Sequence, residues 1–502
     1  MASFLLSESS QPLYSDIEQT IAEAQRELGN SADLVVYQFQ AFDNTKCALI
    51  YLKSFVDFDQ LSRSVLSPLL AAKPLPITTK VQDLANFLPC PNIGEITQLE
   101  QVCQGVVNGE VVLLVSGLEA GLKIPLKRYK QRSITEPENE KVVRGPRDSF
   151  VESIWSNVGL IRQRIKNRNL RIELITLGTE TSVELAIIYV GKLANPEIVE
   201  EVRSRLNRID IDRLLSAGAV SEFISDSPWS PLPTVQFTER PDLFTSALLD
   251  GRIGILLDGT PAASLVPVVF WDFFKSADDY SENPLFVTTV RITRIAAHLV
   301  TLLLPGAYVA LTTIHLEMLP QSLAAIVAGA RTRTPFPTSV ELIALEFVVE
   351  ILREAGLRMP GVFGQTISIV GALVIGEAGV TAGLVEPNIV VIVAFTTLAS
   401  FLVPSYNAGI AIRLLRIPLI LLSASLGFYG LALGNFIYLL HLVSLRSFGV
   451  PYFAPVAPLF LKDMRDLFIR LPWWLQDRRP KVYRSQDQIR AGRNQKPGPE
   501  RG

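Results

Sequence analysis

Between Lys275 and Lys462 the chain has no lysine, and between Asp279 and Asp463 it has no aspartate. A soluble domain of that length would need both to solvate its surface, so the chain is not wholly soluble. Charged residues make up 19% of the 502-residue chain and hydrophobic ones 48%. The charged share falls below the roughly 25% of soluble proteins, and the deficit lies in the C-terminal half. Cysteine is scarce too. Cys47, Cys90 and Cys103 are odd in number and lack CxxC spacing, which excludes a disulfide framework and a zinc knuckle. The histidines His298, His315 and His441 stand far apart in the apolar half and read as polar partners inside a helix bundle, not as metal ligands. A net charge of −2 argues against a nucleic-acid binder, which would show a basic face. The segment Met1 to Gln11 has no basic region followed by an apolar run, so no cleaved signal peptide is expected and the front half is expected on the cytoplasmic side.

What is present divides at about residue 290. Before it the chain reads as α/β. Asp16–Leu28 has helical apolar spacing, Leu34–Phe42 and Cys47–Phe55 are β-rich, Phe58–Leu70 and Ile93–Val106 read as helical, and Val111–Leu114 and Leu122–Leu126 as strands. A second unit repeats the style, with a helix over Phe150–Ile165, strands over Leu170–Leu177 and Val183–Val190, and a helix opening at Pro196. Strands over Arg252–Leu257 and Ala262–Phe270 follow. The expected division is an α/β cytoplasmic subdomain over 1–130, a charged linker over 131–147, a second α/β subdomain over 148–285, a helical membrane domain over 286–445 and a basic, partly disordered cytoplasmic tail over 446–502.

Ile295–Ile314 is twenty residues without Arg, Lys, Asp or Glu, enough to cross a ~30 Å hydrocarbon layer. Leu384–Val403, with Glu386 at its mouth, and the uncharged Ile417–Val443 read as further spans. Val362–Ala382 completes a set of four if Glu377 is tolerated. From Lys462 onward eleven Lys/Arg face five Asp/Glu, which favours a cytoplasmic tail and an even number of crossings, four or six. Between Pro335 and Arg358 an apolar pattern is interrupted by acids, and Glu346, Glu350 and Arg353 step by four and three onto one helical face. A charge at the centre of a spanning helix costs about 2.5–3.5 kcal/mol, so such residues face a partner or a watery lumen. One reading is an interfacial helix with internal ion pairs, Arg353 and Arg358 neutralising the acids. The other is an acidic stripe in which Glu341, Glu346 and Glu350 line a cation path, with Glu377 as a second candidate among small residues.

The run Arg132-Ser-Ile-Thr-Glu-Pro-Glu-Asn-Glu140-Lys-Val-Val-Arg144-Gly-Pro146, followed by Phe150-Val-Glu152, resembles the signature of GerA-type spore germination receptor A subunits. Leu160-Ile-Arg162-Gln-Arg164, Thr238-Glu-Arg-Pro-Asp242, Pro335-Phe-Pro337, Leu352-Arg-Glu-Ala-Gly-Leu-Arg358, Gly364-Gln-Thr-Ile367 and Ser447-Phe-Gly449 extend the likeness from about Arg132 to Phe453. A SpoVAF-like paralogue carries the same motifs and stays open. The resemblance implies a multi-pass protein of the inner spore membrane that works with a transporter-like B subunit, which senses the nutrient, and a lipoprotein C subunit. It implies a homo-oligomer in contact with membrane lipid that supplies a conduit for cation release, and no cofactor. It leaves a non-conducting scaffold and a secondary transporter with broken helices as alternatives. No nucleophile–base pair, phosphate loop or metal set stands against it, and the chain is not read as an enzyme. Within the charged linker, Glu136, Arg144 and Glu152 are candidates for ion pairs that hold the two cytoplasmic subdomains, or neighbouring subunits, in register.

Overall fold

The computed structural model describes residues 12–42, 45–71, 81–127, 137, 140, 142, 144–358, 374–492 and 495–498. Two compact units emerge, one made of Met1–Ser225, Val235–Pro267 and Gln476–Gln495, the other of Asp226–Thr234, Val268–Leu475 and Lys496–Gly502.

The first unit holds two five-stranded antiparallel sheets. Strands β1 (Leu34–Ala41), β2 (Thr45–Leu52), β3 (Gly94–Ile96), β4 (Val111–Val115) and β5 (Gly121–Ile124) lie in the order β1-β2-β4-β5-β3. The second sheet holds β6 (Leu170–Leu177), β7 (Val183–Val190), β8 (Gln236–Thr238), β9 (Ile253–Leu257) and β10 (Ala263–Val266), in the order β6-β7-β9-β10-β8. The two topologies are the same. Helix α1 (Ile17–Glu27) precedes the first sheet and α2 (Leu99–Val107) joins β3 to β4. Correspondingly α3 (Ile154–Arg164) precedes the second sheet, α4 (Pro196–Asn207) follows β7, and α5 (Pro241–Leu249) joins β8 to β9.

The α/β reading of this half therefore holds, and the period-2 geometry of a strand explains its core. In β2 and β4 the residues Cys47, Leu49, Tyr51, Val111, Leu113 and Val115 face one apolar layer. The alternate residues Ala48, Ile50, Leu52, Val112 and Leu114 face the layer built by α1 and α2. Central strands covered on both faces read as unbroken apolar runs, and these do. The expected helix over Ile93–Val106 starts late. Ile96 instead pairs with Gly121 on the sheet edge, and Gln98 stays extended as the helix cap.

The second unit is helical. Helix α6 (Pro284–Thr313) is 30 residues long, about 45 Å at 1.5 Å per residue. It is followed by a short helix over Gln321–Arg331 and then by α7 (Thr338–Arg358), α8 (Pro387–Ser400) and α9 (Tyr406–Ser444). By length and composition α6 and α9 are long and apolar enough to cross a membrane, and α8 is a shorter apolar helix. Helix α9 is not straight. At Gly427 the backbone turns to φ 63° and ψ −142°, and a Cβ on Gly434 would lie 2.5 Å from Leu419 Cδ2. Fifteen positions along a straight helix would hold those residues over ~20 Å apart, so Ile417–Val443, expected as one span, doubles back into two antiparallel arms, 406–426 and 428–444. The expected span Val362–Ala382 falls for the most part outside the described residues, as do Gly364–Ile367.

Hydrogen bonds set the directions of the helices. The Thr301 hydroxyl donates to the Thr396 carbonyl at 3.4 Å, and the Tyr308 hydroxyl to Glu386 Oε1 at 3.1 Å, so α6 and α8 run antiparallel. Phe270, Phe273 and Phe274, which precede α6, share one core with Ala408, Ala411 and Leu442 of α9 and with Tyr452 and Leu467 beyond it. The helical run thus begins and ends at the same end of this unit.

Candidate functional site

Helix α7 carries the expected acids into the helical unit. Glu341 is 3% exposed, and its Oε2 accepts the Glu386 N–H at 2.8 Å. One turn further, Glu346 is buried in an ion pair with Arg416 of the first α9 arm. Glu350, half-exposed, meets Arg413 Nε at 3.2 Å and Arg353 Nη1 at 3.5 Å. Arg353 in turn reaches the Ser400 hydroxyl at the end of α8 at 3.4 Å and lies over the Phe401 ring. Three acids spaced five and four residues apart on α7 therefore face two arginines three residues apart on α9, and together they form a polar seam between apolar helices.

Several atoms of this seam have no hydrogen-bond partner among the described residues. They are Glu341 Oε1, Glu346 Oε1, Arg353 Nε, and Arg416 Nε and Nη1, all buried. A buried polar group without a partner costs about 1–3 kcal/mol, so the seam carries surplus polarity that its own side chains leave unused. Two sequence expectations sharpen here. Arg358 pairs with Glu354 at 2.7 Å and not with the path acids, and the neutralising arginines come largely from α9. Glu377 is exposed on a wide helical turn over Val374–Ala378, and among the described residues no hydrogen bond or ion pair ties it to the three acids. Arg413 and Arg416 stand in the sequence as two arginines three apart at the edge of an uncharged run, but nothing local to them marks the acids of α7 as their partners.

In the α/β unit the linker candidates are spread out. Glu136 lies outside the described residues. Arg144 is exposed, and so is Glu152, whose backbone carbonyl accepts the Gly259 N–H at 2.8 Å. The described end of this linker is held by residues the spacing alone did not single out. Glu140 Oε2 accepts the Thr238 hydroxyl at 2.7 Å and the Glu239 N–H at 3.0 Å. Arg240, 1% exposed, forks onto Asp242 and donates to the carbonyls of Glu140 and Pro146 at 3.2 and 3.0 Å. Burial pushes the Glu140 carboxyl above its ordinary pKa, opposed by the hydroxyl and amide that donate to it. The two signature strings, Glu140–Pro146 and Thr238–Asp242, thus meet in space.

The subdomains themselves join through α3. Arg162 is buried against Asp33 and Ser31, the latter's hydroxyl lying 2.9 Å from Nη2. Around this pair Lys53 Nζ sits 4.0 Å from the centre of the Trp155 ring, and the Ala32 N–H donates to the Ile172 carbonyl at 2.9 Å. Arg162 lies in the Leu160–Arg164 string, but only the fold reveals Asp33 as its partner.

Residues 22–482 match the family described as Bacillus/Clostridium GerA spore germination protein. The chain belongs to that family. Spore germination protein KA of Bacillus subtilis (strain 168) is 38% identical over 486 residues, 96% of this chain and 89% of that protein. Spore germination protein B1 of the same organism is 36% identical over 95% of this chain and 99% of its own. An uncharacterised membrane protein of that strain, YfkQ, is 38% identical over 90% of this chain and 88% of its own. Among solved structures, the N-terminal domain of the A subunit of the Bacillus megaterium spore germinant receptor GerK3 is 26% identical, with a TM-score of 0.41, over 52% of this chain and 99% of that one. For this GerA-family chain a role in spore germination follows.

Proposed function

We propose that this GerA-family protein is the A subunit of a nutrient-responsive germination receptor in the inner spore membrane, and that its helical unit, assembled as a homo-oligomer, forms or gates the path by which cations leave. The observation that carries the reading is the Glu341–Glu346–Glu350 seam. Ionised side chains between apolar helices are expensive in a membrane and mark ion or substrate pathways, and this seam keeps buried carboxylate oxygens without a partner among the described residues. In a ring of subunits each acid would repeat around the axis and concentrate cations. The transporter-like B subunit and the lipoprotein C subunit are the partners that go with this role. Because the helical run begins and ends at the same end of its unit, an even number of crossings with both termini cytoplasmic fits best.

A second reading, a scaffold that anchors its partners without conducting, is favoured by one specific feature: Glu346 and Glu350 are matched by Arg416, Arg413 and Arg353, which balances the charge of the seam. Spores carrying Glu350→Gln separate the two. A path acid predicts normal protein level and assembly with altered potassium and sodium release on germinant addition. Unchanged release from Glu350→Gln and from Glu346→Gln/Glu350→Gln, at normal assembly, removes the conduit reading.

A further inference from the structure

Three of the five tryptophans stand exposed at one end of the helical unit. Trp229 is 97% exposed, Trp473 51% and Trp474 38%, whereas Trp271 is buried in the core. Neighbouring contacts place Trp229 and Trp473 near helix ends. Ser230 Oγ lies 2.9 Å from His441 Nε2 in the last turn of α9, which holds Trp229 beside that helix end. Trp473 Nε1 donates to the Tyr280 carbonyl at 3.4 Å, four residues before α6 begins, and its ring lies 5.6 Å from that of Tyr280. The segment carrying Trp473 is tied along the start of α6. The Arg470 N–H donates to Thr288 Oγ1 at 3.1 Å, and Asp466 accepts from Arg291 at 2.9 Å and from Tyr280 at 2.8 Å.

This strap, residues 458–475, contains no helix longer than a short 3₁₀ turn, so it does not span. Yet it turns Leu459, Leu461 and Ile469 outward together with the two indoles, and Leu461 is 73% exposed. The first turn of α6 continues the apolar surface with Leu285 and Phe286. Lys462 and Arg465 are exposed among these residues, while Asp466 is engaged by Arg291 and Tyr280. Exposed apolar side chains mixed with cations, an indole at Trp473 whose N–H donates back to the protein, and direct continuity with a helix long enough to span are the features of a surface at the headgroup level. Trp473 beside the start of α6 and Trp229 beside the last turn of α9 lie at the end where the helical run begins and ends, which is where a bilayer surface would meet this unit.

We propose that residues 458–475, together with Trp229, form an interfacial belt that seats this end of the helical unit on the anionic headgroup layer of the membrane. The inference rests on the membrane reading above and adds the surface, its depth and its lipid preference. The test uses the purified full chain in vesicles of phosphatidylcholine, with or without phosphatidylglycerol, prepared with brominated acyl chains that quench indoles within the bilayer. Lipid quenching of the emission is expected, most of it lost in W473F/W474F and more still when W229F is added. K462E/R465E is expected to reduce quenching in phosphatidylglycerol vesicles while leaving it unchanged in phosphatidylcholine. Indoles at 473 and 474 reached by aqueous iodide instead, or reached by neither reagent because a second copy or another protein covers them, overturn the belt. Retention of the chain after alkaline carbonate separates the two readings. Retention with iodide-accessible indoles removes the belt alone, and release removes the membrane reading along with it.

Discussion

Arg162 forks onto Asp33 across 129 positions of sequence, its Nε 2.9 Å from Oδ2 and its Nη2 2.9 Å from Oδ1. Their side chains are 2% and 0% exposed, and the Ser31 hydroxyl donates to Asp33 Oδ1 at 2.7 Å while accepting from Arg162. The pair locks the first helix of the second subdomain to the turn that enters β1 of the first. Since the attraction of a buried pair is set against the desolvation of both ions, each residue alone is worth more than the pair.

Asp33→Ala or Arg162→Ala should therefore lower stability by about 3–5 kcal/mol, because each strands a buried charge. The apolar double substitution Asp33→Leu/Arg162→Met should recover most of that loss. Urea midpoints of the detergent-solubilised chain measure both. Single variants as stable as the native chain would show that the subdomain joint does not depend on this pair.

Much of this was readable in advance. Strands β2 and β4 were legible because a strand buried on both faces must be apolar throughout, and α1, α3 and α4 because their apolar spacing is helical. The acids of α7 were legible because charge is costly in an apolar run. Their partners were not, since nothing local to Glu346 points to a residue 70 positions away. The hairpin at Gly427 was hidden for a different reason. A reversal between two apolar arms needs only one residue able to take a left-handed φ, and in composition Ile417–Val443 is uniform on both sides of it. The shared topology of the two sheets was equally hidden, because strand order depends on pairings between distant segments.

Glu140 gives a pH-dependent signature. Its folded pKa is raised, principally by burial, so between the ordinary glutamate value and the raised one the folded state binds more protons than the unfolded state. Stability contributed at this site is then present at low pH and falls as pH rises through that window. Glu140→Gln keeps an oxygen to accept from Thr238 and Glu239 but carries no charge. It should remove this fall and leave the chain at least as stable at neutral pH. Urea midpoints measured from mildly acidic to neutral pH check it, and a Glu140→Gln profile that runs parallel to the native one would show that another group is responsible.

Gly427 should tolerate no side chain. Its φ of 63° with ψ −142° is costly for an L-residue, and an added Cβ would lie 2.2 Å from His315 Cε1 and 3.3 Å from Ile314 Cβ. Gly427→Ala should lose at least ~1–3 kcal/mol from backbone strain, with the clash in addition. His315→Ala in the same chain relieves the clash but not the strain, so it should restore only part of the thermal stability of the detergent-solubilised protein. Full restoration would mean that the backbone at 427 is free to relax and that the reversal is not set there.

The seam between α7 and α9 makes the sharpest distinction. If Glu346 and Arg416 serve only to hold two helices together, the charge-reversed pair Glu346→Arg/Arg416→Glu keeps an ion pair across the same gap. It should restore both the protein level and the germination response that either single change abolishes. If the carboxylates at 341, 346 and 350 act as a row toward passing cations, order matters as well as pairing. The reversal then breaks the row by placing a cation between two acids, and the protein should assemble normally while potassium and sodium release falls. Either single variant leaves a buried charge uncompensated, at a cost of roughly 3–5 kcal/mol, and should lower the level in the membrane. Protein level by immunoblot and ion release by flame photometry on the same spores separate the outcomes. A charge-reversed chain with native level and native release would remove Glu346 from any conduit and leave it as a structural partner of Arg416.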